Sequence, residues 1–384
     1  MKYMGSKRWM LRNGLGQLIR DEAQHANRFV DLFTGSGAVA HFAATLDHPI
    51  EVQAFDLQQF CVALADAVIT RVQSIEPDSV LQAWHNRAVG FLKQHRQIAS
   101  ASRNLPTRRA FTRSWVERAR IECQDLVRFP ITAAYGGHYF SKTQSLWIDA
   151  FRNTVPETTS TRRACLGALI QAASQCAASP GHTAQPFQPT QAAKPFIYEA
   201  WTRDVVTEIC TAFWQLAPMH ASICGKATVG DANVMTKEIH TGDLVFLDPP
   251  YSAVQYSRFY HVLESIANGV PIQVCGAGRY PPDTARPRSK YSVKSESGAA
   301  IEDLLERIAG RGASALLTFP DHDCSNGLSG NAVAAIARKY FTVRAKQVEN
   351  RFSTLGGTKS GDVLGNGRLP RQYASETIFV LKPL

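Results

Sequence analysis

Seven short apolar runs constrain the fold of this 384-residue chain more than any other feature of its sequence. They span residues 28–33, 50–55, 227–229, 243–247, 314–319, 341–348 and 377–381. Most of them are continuous rather than alternating, which is typical of strands that helices cover on both faces of a sheet. The stretches between them read as helices, so the pattern predicts an α/β protein with a seven-stranded, doubly wound sheet.

The spacing of these runs is uneven. The first two lie close together, whereas the third begins only near residue 227. The intervening sequence is mostly helical in pattern, which predicts a largely helical insertion between the second and third strands. We expect a sheet domain in two parts, 1–84 and 205–384, interrupted by an insertion at 85–204. An insertion at such a point is a natural place for a substrate-recognition module.

The charge distribution points to a polyanionic partner. The formal net charge is +10, and residues 87–128 carry ten Lys or Arg against three Asp or Glu. Phe91, Phe111 and Trp115 are interleaved with these cations. An excess of positive side chains with aromatic side chains between them favours nucleic-acid binding. A solvated helical face remains the alternative.

Composition indicates an ordinary globular protein. Hydrophobic residues make up 45% of the chain, and no apolar run approaches the roughly 20 residues that a membrane helix needs. Residues 1–8 are polar and basic, unlike a signal peptide. The eight cysteines include no C-x-x-C pair, which predicts free thiols and no metal site. We therefore expect a cytoplasmic protein without a membrane partner.

A glycine-rich turn follows the first run. In residues 29–37 (FVDLFTGSG), Gly35 and Gly37 allow a tight turn and close approach of the backbone to a ligand. Asp56 ends the next run, about 20 residues later, where an acid can bind both ribose hydroxyls. Asp231 follows the third run and could bind an adenine amine. Helix capping for Asp56 and turn formation for Asp231 remain open alternatives.

The most specific motif is the sequence LVFLDPPY at residues 244–251. Pro249 and Pro250 end a buried strand directly after Asp248 and form a rigid, extended turn. The Asp248 carboxylate and the Pro249 carbonyl can both accept hydrogen bonds from an amine, and Tyr251 offers a flat face for a base. Two acceptors on a weakly nucleophilic aromatic amine favour pyramidal nitrogen geometry, so the motif suits methyl transfer to such an amine.

These motifs, in this order, resemble those of Dam-type N(6)-adenine DNA methyltransferases. Further similarity lies in residues 2–7 (KYMGSK), 256–261 (YSRFYH), 351–357 and 376–380 (ETIFV). The resemblance implies a methyltransferase sheet with catalytic and cofactor-binding residues in 1–84 and 205–384. It also implies that the insertion at 85–204 recognises the DNA target, and that the methyl donor is S-adenosylmethionine.

The resemblance further assigns roles to individual residues. The residues expected to bind the cofactor are Tyr3, Lys7, Asp31, Phe33, Gly35, Gly37, Asp56 and Asp231. The residues expected at the target base are Asp248, Pro249, Pro250 and Tyr251. Basic or polar side chains expected to contact DNA are Arg108, Arg109, Arg113, His182, Arg258, Arg288 and Lys290.

The partners implied are double-stranded DNA, at the nucleoid, and a cognate restriction endonuclease or other defence partner. An RNA adenine or cytosine-amine methyltransferase remains an alternative, as does a non-catalytic DNA-binding module. Asp at position 248 favours adenine, because cytosine-amine enzymes more often begin this motif with Ser. The segment 135–141 (YGGHYFS) is expected to form either a tight turn that packs the insertion onto the catalytic domain or a DNA-contacting loop.

Overall fold

The structure, a computed structural model, describes residues 7–270, 273–351 and 373–384. In these ranges seven strands form one sheet. The strands are β1 Arg28–Asp31, β2 Glu51–Asp56, β3 Lys226–Val229, β4 Leu244–Leu247, β5 Ser314–Pro320, β6 Phe341–Arg351 and β7 Tyr373–Pro383. Each coincides with one of the seven apolar runs, so the prediction of a seven-stranded α/β protein is confirmed.

Helices surround and separate the strands in the same ranges. The α-helices are α1 Arg8–Arg12, α2 Leu15–Ala23, α3 Ala38–Ala44, α4 Gln59–Ile69, α5 Pro77–Gln94, α6 Ile98–Ala101, α7 Arg113–Gln124, α8 Pro130–Tyr135, α9 Lys142–Asn153, α10 Thr159–Cys176, α11 Lys194–Thr202, α12 Val205–Leu216, α13 Ala232–Met235, α14 Tyr256–Asn268, α15 Ser297–Gly310 and α16 Gly330–Ala337. Short 3₁₀ turns lie at Thr236–Glu238, Asp283–Ala285 and Lys290–Ser292. None of the described helices is both long and apolar enough to cross a membrane.

The sheet order is β3-β2-β1-β4-β5-β7-β6. The first five strands are parallel, whereas β7 runs antiparallel to both β5 and β6. The last strand in sequence therefore lies inside the sheet, between its two predecessors. The order reverses at β1 and β4, which is where open α/β sheets bind ligands beyond their carboxyl ends.

Alternate residues of the central strands fill two apolar layers. On one face, Val30, Val245 and Leu317 pack with α15 and α16. On the other, Phe29 and Phe246 pack with α2, α3 and α4. Because successive side chains of a strand point to opposite faces, helices on both sides explain why these strands are continuously apolar.

The chain divides into two compact units. The sheet unit contains the described residues of Met4–Val72, His220–Tyr256 and Pro287–Leu384. The helical unit contains those of Gln73–Met219 and Ser257–Arg286. The predicted insertion, 85–204, lies inside the first segment of the helical unit, and the second segment is a separate stretch after β4.

The helical unit has its own core. Trp84 is fully buried against Phe151 and donates its ring N–H to the carbonyl of that residue, 3.0 Å away. A second cluster joins Phe111, Val116 and Trp201. Two of the three aromatic residues that the sequence placed among the cations, Phe111 and Trp115, thus belong to an internal aromatic cluster.

Candidate active site

Acidic side chains stand at the carboxyl ends of four neighbouring parallel strands. Asp31 ends β1 and Asp56 ends β2. Asp231 and Asp248 follow closely after β3 and β4. Since β1 pairs with β2 and β4, and β2 pairs with β3, these ends meet at one edge of the sheet.

Among the described residues, the partners of Asp248 hold one of its two carboxylate oxygens. Oδ1 lies 3.0 Å from the ammonium of Lys7 and accepts a 2.9 Å hydrogen bond from the Thr318 hydroxyl. No residue in the described ranges donates to Oδ2. The carboxylate is therefore fixed in orientation while one oxygen stays available to an external donor.

The proline turn is anchored from the loop after β5. Asn326 is fully buried, and its side-chain amide donates to the carbonyls of Pro250 and Tyr291, each at 3.0 Å. The carbonyl of Pro249 receives no hydrogen bond from any residue between 7 and 384 that the structure describes. The turn thus offers a second free acceptor immediately after Asp248.

Lys7 links the proline turn to the last strand. Its ammonium is buried and bonds Glu376 of β7 at 2.9 Å as well as Asp248. Burial opposes the charge on Lys7, but the two carboxylates outweigh it and raise the pKa of Lys7 above its ordinary value. Burial raises the pKa of Asp248, and the Lys7 ammonium acts against that shift.

Asp31 and Thr34 carry buried polar atoms for which residues 7–270, 273–351 and 373–384 supply no partner within hydrogen-bond geometry. Oδ1 of Asp31 accepts a 3.2 Å hydrogen bond from the backbone of Phe33, whereas its Oδ2 and the Thr34 hydroxyl have no partner among the described residues. Burial raises the pKa of Asp31 to about 8. A buried, unsatisfied carboxylate oxygen is costly unless a donor reaches it, so this turn suits a ligand that brings a cationic or N–H group.

The glycine turn has the backbone geometry that its sequence predicted. Gly35 and Gly37 have φ angles of +49° and +73°, which a side chain would strain. Asp56 reaches back to this turn: its Oδ2 accepts from the Gly35 amide at 3.0 Å and its Oδ1 from the Gln58 amide at 2.9 Å. The Leu57 amide and the Cys61 thiol also donate to this carboxylate, so Asp56 fixes the glycine turn to the end of β2.

Asp231 is the N-cap of α13. Its Oδ1 accepts from the backbone amides of Asn233 and Val234, at 3.0 and 3.4 Å. Beside it, Val229 and Val234 are 44% and 55% exposed. Two exposed apolar side chains flanking an acid are a surface on which a flat heterocycle could rest.

Tyr251 is half-buried and packs against the apolar cluster beneath β4. Its hydroxyl is hydrogen-bonded to that of Tyr256. Burial raises the pKa of Tyr251 well above its ordinary value, so the hydroxyl stays neutral.

The predicted DNA contacts divide between the two units. In the helical unit, Arg108 and Arg109 are exposed, and neither has an ion-pair partner among the described residues. Arg113 pairs with Glu117 at 2.7 Å. The ring of His182 packs against Phe259, and burial lowers the pKa of His182, so this side chain is neutral at pH 7.

The remaining predicted DNA contacts have different surroundings. Arg258 of the helical unit is exposed and lies over the Tyr280 ring, 4.9 Å from its centroid. In the sheet unit, Arg288 pairs with Glu296 at 2.5 Å and Lys290 is exposed. A guanidinium with an acidic partner is less available to phosphate than an unpaired one.

The segment 135–141 is a packed turn within the helical unit. Tyr135, Tyr139 and Phe140 are fully buried, and the Tyr139 hydroxyl donates to the carbonyls of Thr183 and Gly278 at 2.7 and 2.8 Å. Ser141 then caps α9. These side chains therefore pack inside the helical unit, and packing onto the catalytic domain stays a prediction.

Sequence reasoning missed Thr318, Asn326 and Glu376. Each lies after residue 310, far from the motif it contacts, and none belongs to a recognisable pattern with Asp248. The available signals for Glu376 were its charge directly before an apolar run and its place in the segment 376–380 that resembles the family. Tyr3 and residues 352–357 lie outside the described residues, so their predicted roles stay predictions.

Comparisons with known proteins agree with this arrangement. A model of the D12 class N6 adenine-specific DNA methyltransferase family matches residues 3–125 and 215–305. Modification methylase LlaI of Lactococcus lactis subsp. lactis is 23% identical over 313 residues, which are 80% of this chain and 44% of that protein. Type II methyltransferase M.NlaIII of Neisseria lactamica is 41% identical over 78 residues, 20% of this chain and 21% of that protein. Type II methyltransferase M.FokI of Planomicrobium okeanokoites is 35% identical over 77 residues, 20% of this chain and 12% of that protein.

The chain spans less than half the length of each of these three relatives. The family model, by contrast, covers more than half of this chain and includes the glycine turn, the four acids and the proline motif. The chain therefore belongs to the D12 class of N6 adenine-specific DNA methyltransferases.

Proposed function

We propose that this protein transfers a methyl group from S-adenosylmethionine to the exocyclic amine of an adenine within a specific sequence of double-stranded DNA. The observation that carries the proposal is the set of hydrogen-bond partners around the Asp248 carboxylate. Lys7 and Thr318 hold one oxygen of this residue, and among the residues that the structure describes none donates to the other oxygen or to the carbonyl of the adjacent Pro249.

Two free acceptors at this point match the two hydrogens of an aromatic amine. The amine donates one hydrogen to Oδ2 of Asp248 and one to the Pro249 carbonyl. Both bonds strengthen as the nitrogen becomes pyramidal and develops positive charge, so they stabilise the transition state more than the bound substrate. The Lys7 ammonium favours the ionised form of Asp248, and an ionised carboxylate accepts hydrogen bonds and donates none.

The cofactor fits the unsatisfied atoms of the glycine turn. We assign the cofactor's ammonium to Oδ2 of Asp31 and its ribose hydroxyls to Asp56. Its adenine would lie between Val229 and Val234, with Asp231 as acceptor for its amine. When bound, S-adenosylmethionine supplies an electrophilic methyl group on a sulfonium.

Adenine reaches this pocket only if it leaves the DNA stack. Extrusion costs a few kcal/mol of stacking and pairing, which binding in the pocket has to offset. Tyr251 is rigidly placed behind two prolines, and stacking of a base on an aromatic face contributes roughly 1–3 kcal/mol. We therefore assign Tyr251 to stack on the flipped base.

The helical segment 85–204, between β2 and β3, is the target-recognition region in this proposal. Exposed, unpaired Arg108 and Arg109 bind phosphate there. The names of the relatives, modification methylase and type II methyltransferase, support a role as the modification partner of a restriction endonuclease. A DNA substrate would keep the enzyme at the nucleoid.

Asp248→Asn tests the proposal. The amide keeps the shape of the side chain but turns an acceptor into a mixed donor and acceptor, so we expect methyl transfer to fall by about a hundredfold or more. Cofactor affinity, measured by calorimetry, should stay near that of the wild type. Asp47→Asn, an exposed aspartate of the same unit, is the matched control and should leave turnover unchanged.

Labelled methyl transfer is measured on duplex DNA, on duplex DNA without adenine and on RNA. Transfer to the adenine-free duplex indicates a cytosine-amine enzyme, and transfer to RNA alone indicates an RNA enzyme. Normal turnover by Asp248→Asn on DNA contradicts the assigned site. Cofactor binding by the wild type without transfer to any substrate leaves a non-catalytic module.

A further inference from the structure

Glu376 forms the far end of a buried chain of three charges in the sheet unit. Its carboxylate lies in β7, has no exposed surface, and accepts a 2.9 Å hydrogen bond from the Lys7 ammonium. The same ammonium lies 3.0 Å from Oδ1 of Asp248. The order of charges is therefore carboxylate, ammonium, carboxylate.

Packing in β7 alone gives no reason for an acidic residue at position 376. The strand continues with fully buried Ile378 and Leu381, and an apolar residue would suit the start of such a strand. Buried ion pairs often stabilise a fold less than well-packed apolar residues of similar volume. The negative charge of Glu376 also acts on Asp248 through the ammonium that the two carboxylates share.

We propose that Glu376 is a positioning residue of the active site, which holds the Lys7 ammonium on Oδ1 of Asp248 and shares its positive charge. The consequence is that Oδ2 of Asp248 stays oriented toward the amine and is a stronger hydrogen-bond acceptor than it would be beside Lys7 alone. This inference rests on the proposed function, because it assigns Glu376 a part in that same methyl transfer.

Several other groups face Asp248 and have to be considered in any pH measurement. Lys7 and Thr318 contact Oδ1, and the Asp31 carboxyl of β1, whose pKa burial raises to about 8, adds a repulsive charge only near and above that pH. The hydroxyls of Tyr251 and Tyr256 lie close but stay neutral, since burial raises the pKa of both. Burial and the charge of Glu376 both raise the pKa of Asp248, so removing that charge lowers it.

Glu376→Gln separates positioning from packing, because the amide has nearly the same shape and no charge. We expect kcat on duplex DNA to fall by about tenfold or more, with little change in KM for DNA or cofactor. The acid limb of the kcat profile should move to lower pH, because Asp248 ionises more easily without its neighbour. Glu376→Asp keeps the charge, so its acid limb should stay near that of the wild type although its kcat falls.

Asp243→Asn is the matched control. Asp243 is buried in the same unit and paired with Arg28 through both carboxylate oxygens, at 3.0 and 2.6 Å, but it contacts none of the active-site residues described above. This variant should lower the unfolding midpoint in urea while leaving the acid limb and kcat per folded molecule unchanged.

The outcomes distinguish this inference from the proposed function. If the wild type transfers no methyl group to DNA, the proposed function fails. If the wild type is active and Glu376→Gln has a normal kcat, or loses activity only in proportion to its unfolded fraction with an unmoved acid limb, Glu376 is merely structural. If Glu376→Gln does not fold, Glu376→Asp still tests the positioning role. A normal kcat per folded molecule in Glu376→Asp overturns that role.

Discussion

At the scale of single residues, the buried carboxyl of Asp31 has the most direct measurable consequence. Burial raises its pKa to about 8 in the folded chain, whereas the unfolded chain ionises it near the ordinary pKa of 3.8. The folded state therefore holds an extra proton between these values. Its contribution to stability is greatest below the unfolded pKa and is lost as pH rises toward the folded pKa.

Asp31→Asn should remove this pH dependence. We expect the free energy of unfolding of the wild type to fall, relative to the variant, by roughly 2–4 kcal/mol between about pH 5 and about pH 8. Urea denaturation at both pH values measures the difference. Asp47→Asn is the control, and parallel curves for the wild type and Asp31→Asn would show that Asp31 ionises normally in the folded chain.

The role of a residue could be predicted from the sequence where its motif is local. It could not be predicted where its partners are distant in the chain. The proline motif predicted Asp248 as a site residue because the strand, the acid and the prolines are adjacent in the sequence. The pairing of Lys7 with Glu376 joins residues 369 positions apart, and no local pattern encodes such a contact. The same limit applies to Asn326, which anchors Pro250 from 76 positions away.

At the scale of elements, the junction of β1 and α3 depends on glycine. Gly37 has a left-handed φ of +73°, and a Cβ there would lie 3.1 Å from the His41 ring and 3.3 Å from the backbone of Ala65. A side chain thus meets both backbone strain and a neighbouring helix that cannot easily move.

Gly37→Ala should therefore destabilise the protein by about 1–3 kcal/mol and weaken cofactor binding. Gly298→Ala in α15 is the matched control, because its Cβ would meet no atom within 4 Å and its φ is not left-handed. Alanine in a helix should be neutral or slightly stabilising there. Urea denaturation and cofactor calorimetry test both variants, and equal effects would refute the special role of the turn.

The strands were predictable as elements because sheet burial imposes continuous apolar runs. Their directions were not, since an apolar run reads the same in a parallel or an antiparallel ladder. The antiparallel course of β7 was therefore unforeseen. The extension of the helical unit to Ser257–Arg286 was also hidden, because contacts rather than local sequence define it.

At the scale of the whole molecule, the excess of positive charge should govern affinity for DNA. Because each neutralised phosphate releases counterions, binding weakens in proportion to the number of such contacts as salt rises. Arg108 and Arg109 are exposed and without ion-pair partners in the described structure, so they are the cations of the helical unit best able to take part.

Charge reversal of both residues, Arg108→Glu with Arg109→Glu, should weaken binding to all DNA sequences alike. The slope of log K against log salt should become shallower by about 2, one phosphate for each arginine. Fluorescence anisotropy over a salt series measures this slope. The pair Arg311→Glu and Arg338→Glu, exposed in the sheet unit, makes the same change in net charge, and equal slopes for the two pairs would mean that only net charge matters.

The interior position of β7 has a consequence for how the protein is made. A ribosome releases β5 and β6 before β7, yet β7 is the strand that joins them. Until it emerges, β5 presents an open hydrogen-bonding edge and β6 has no place in the sheet. Open edges of this kind attract other chains. Nascent molecules should thus pass through an aggregation-prone intermediate that persists until β7 is synthesised and pairs with β5 and β6. The yield of folded protein should therefore depend on chaperones and on the speed of translation over the last strand.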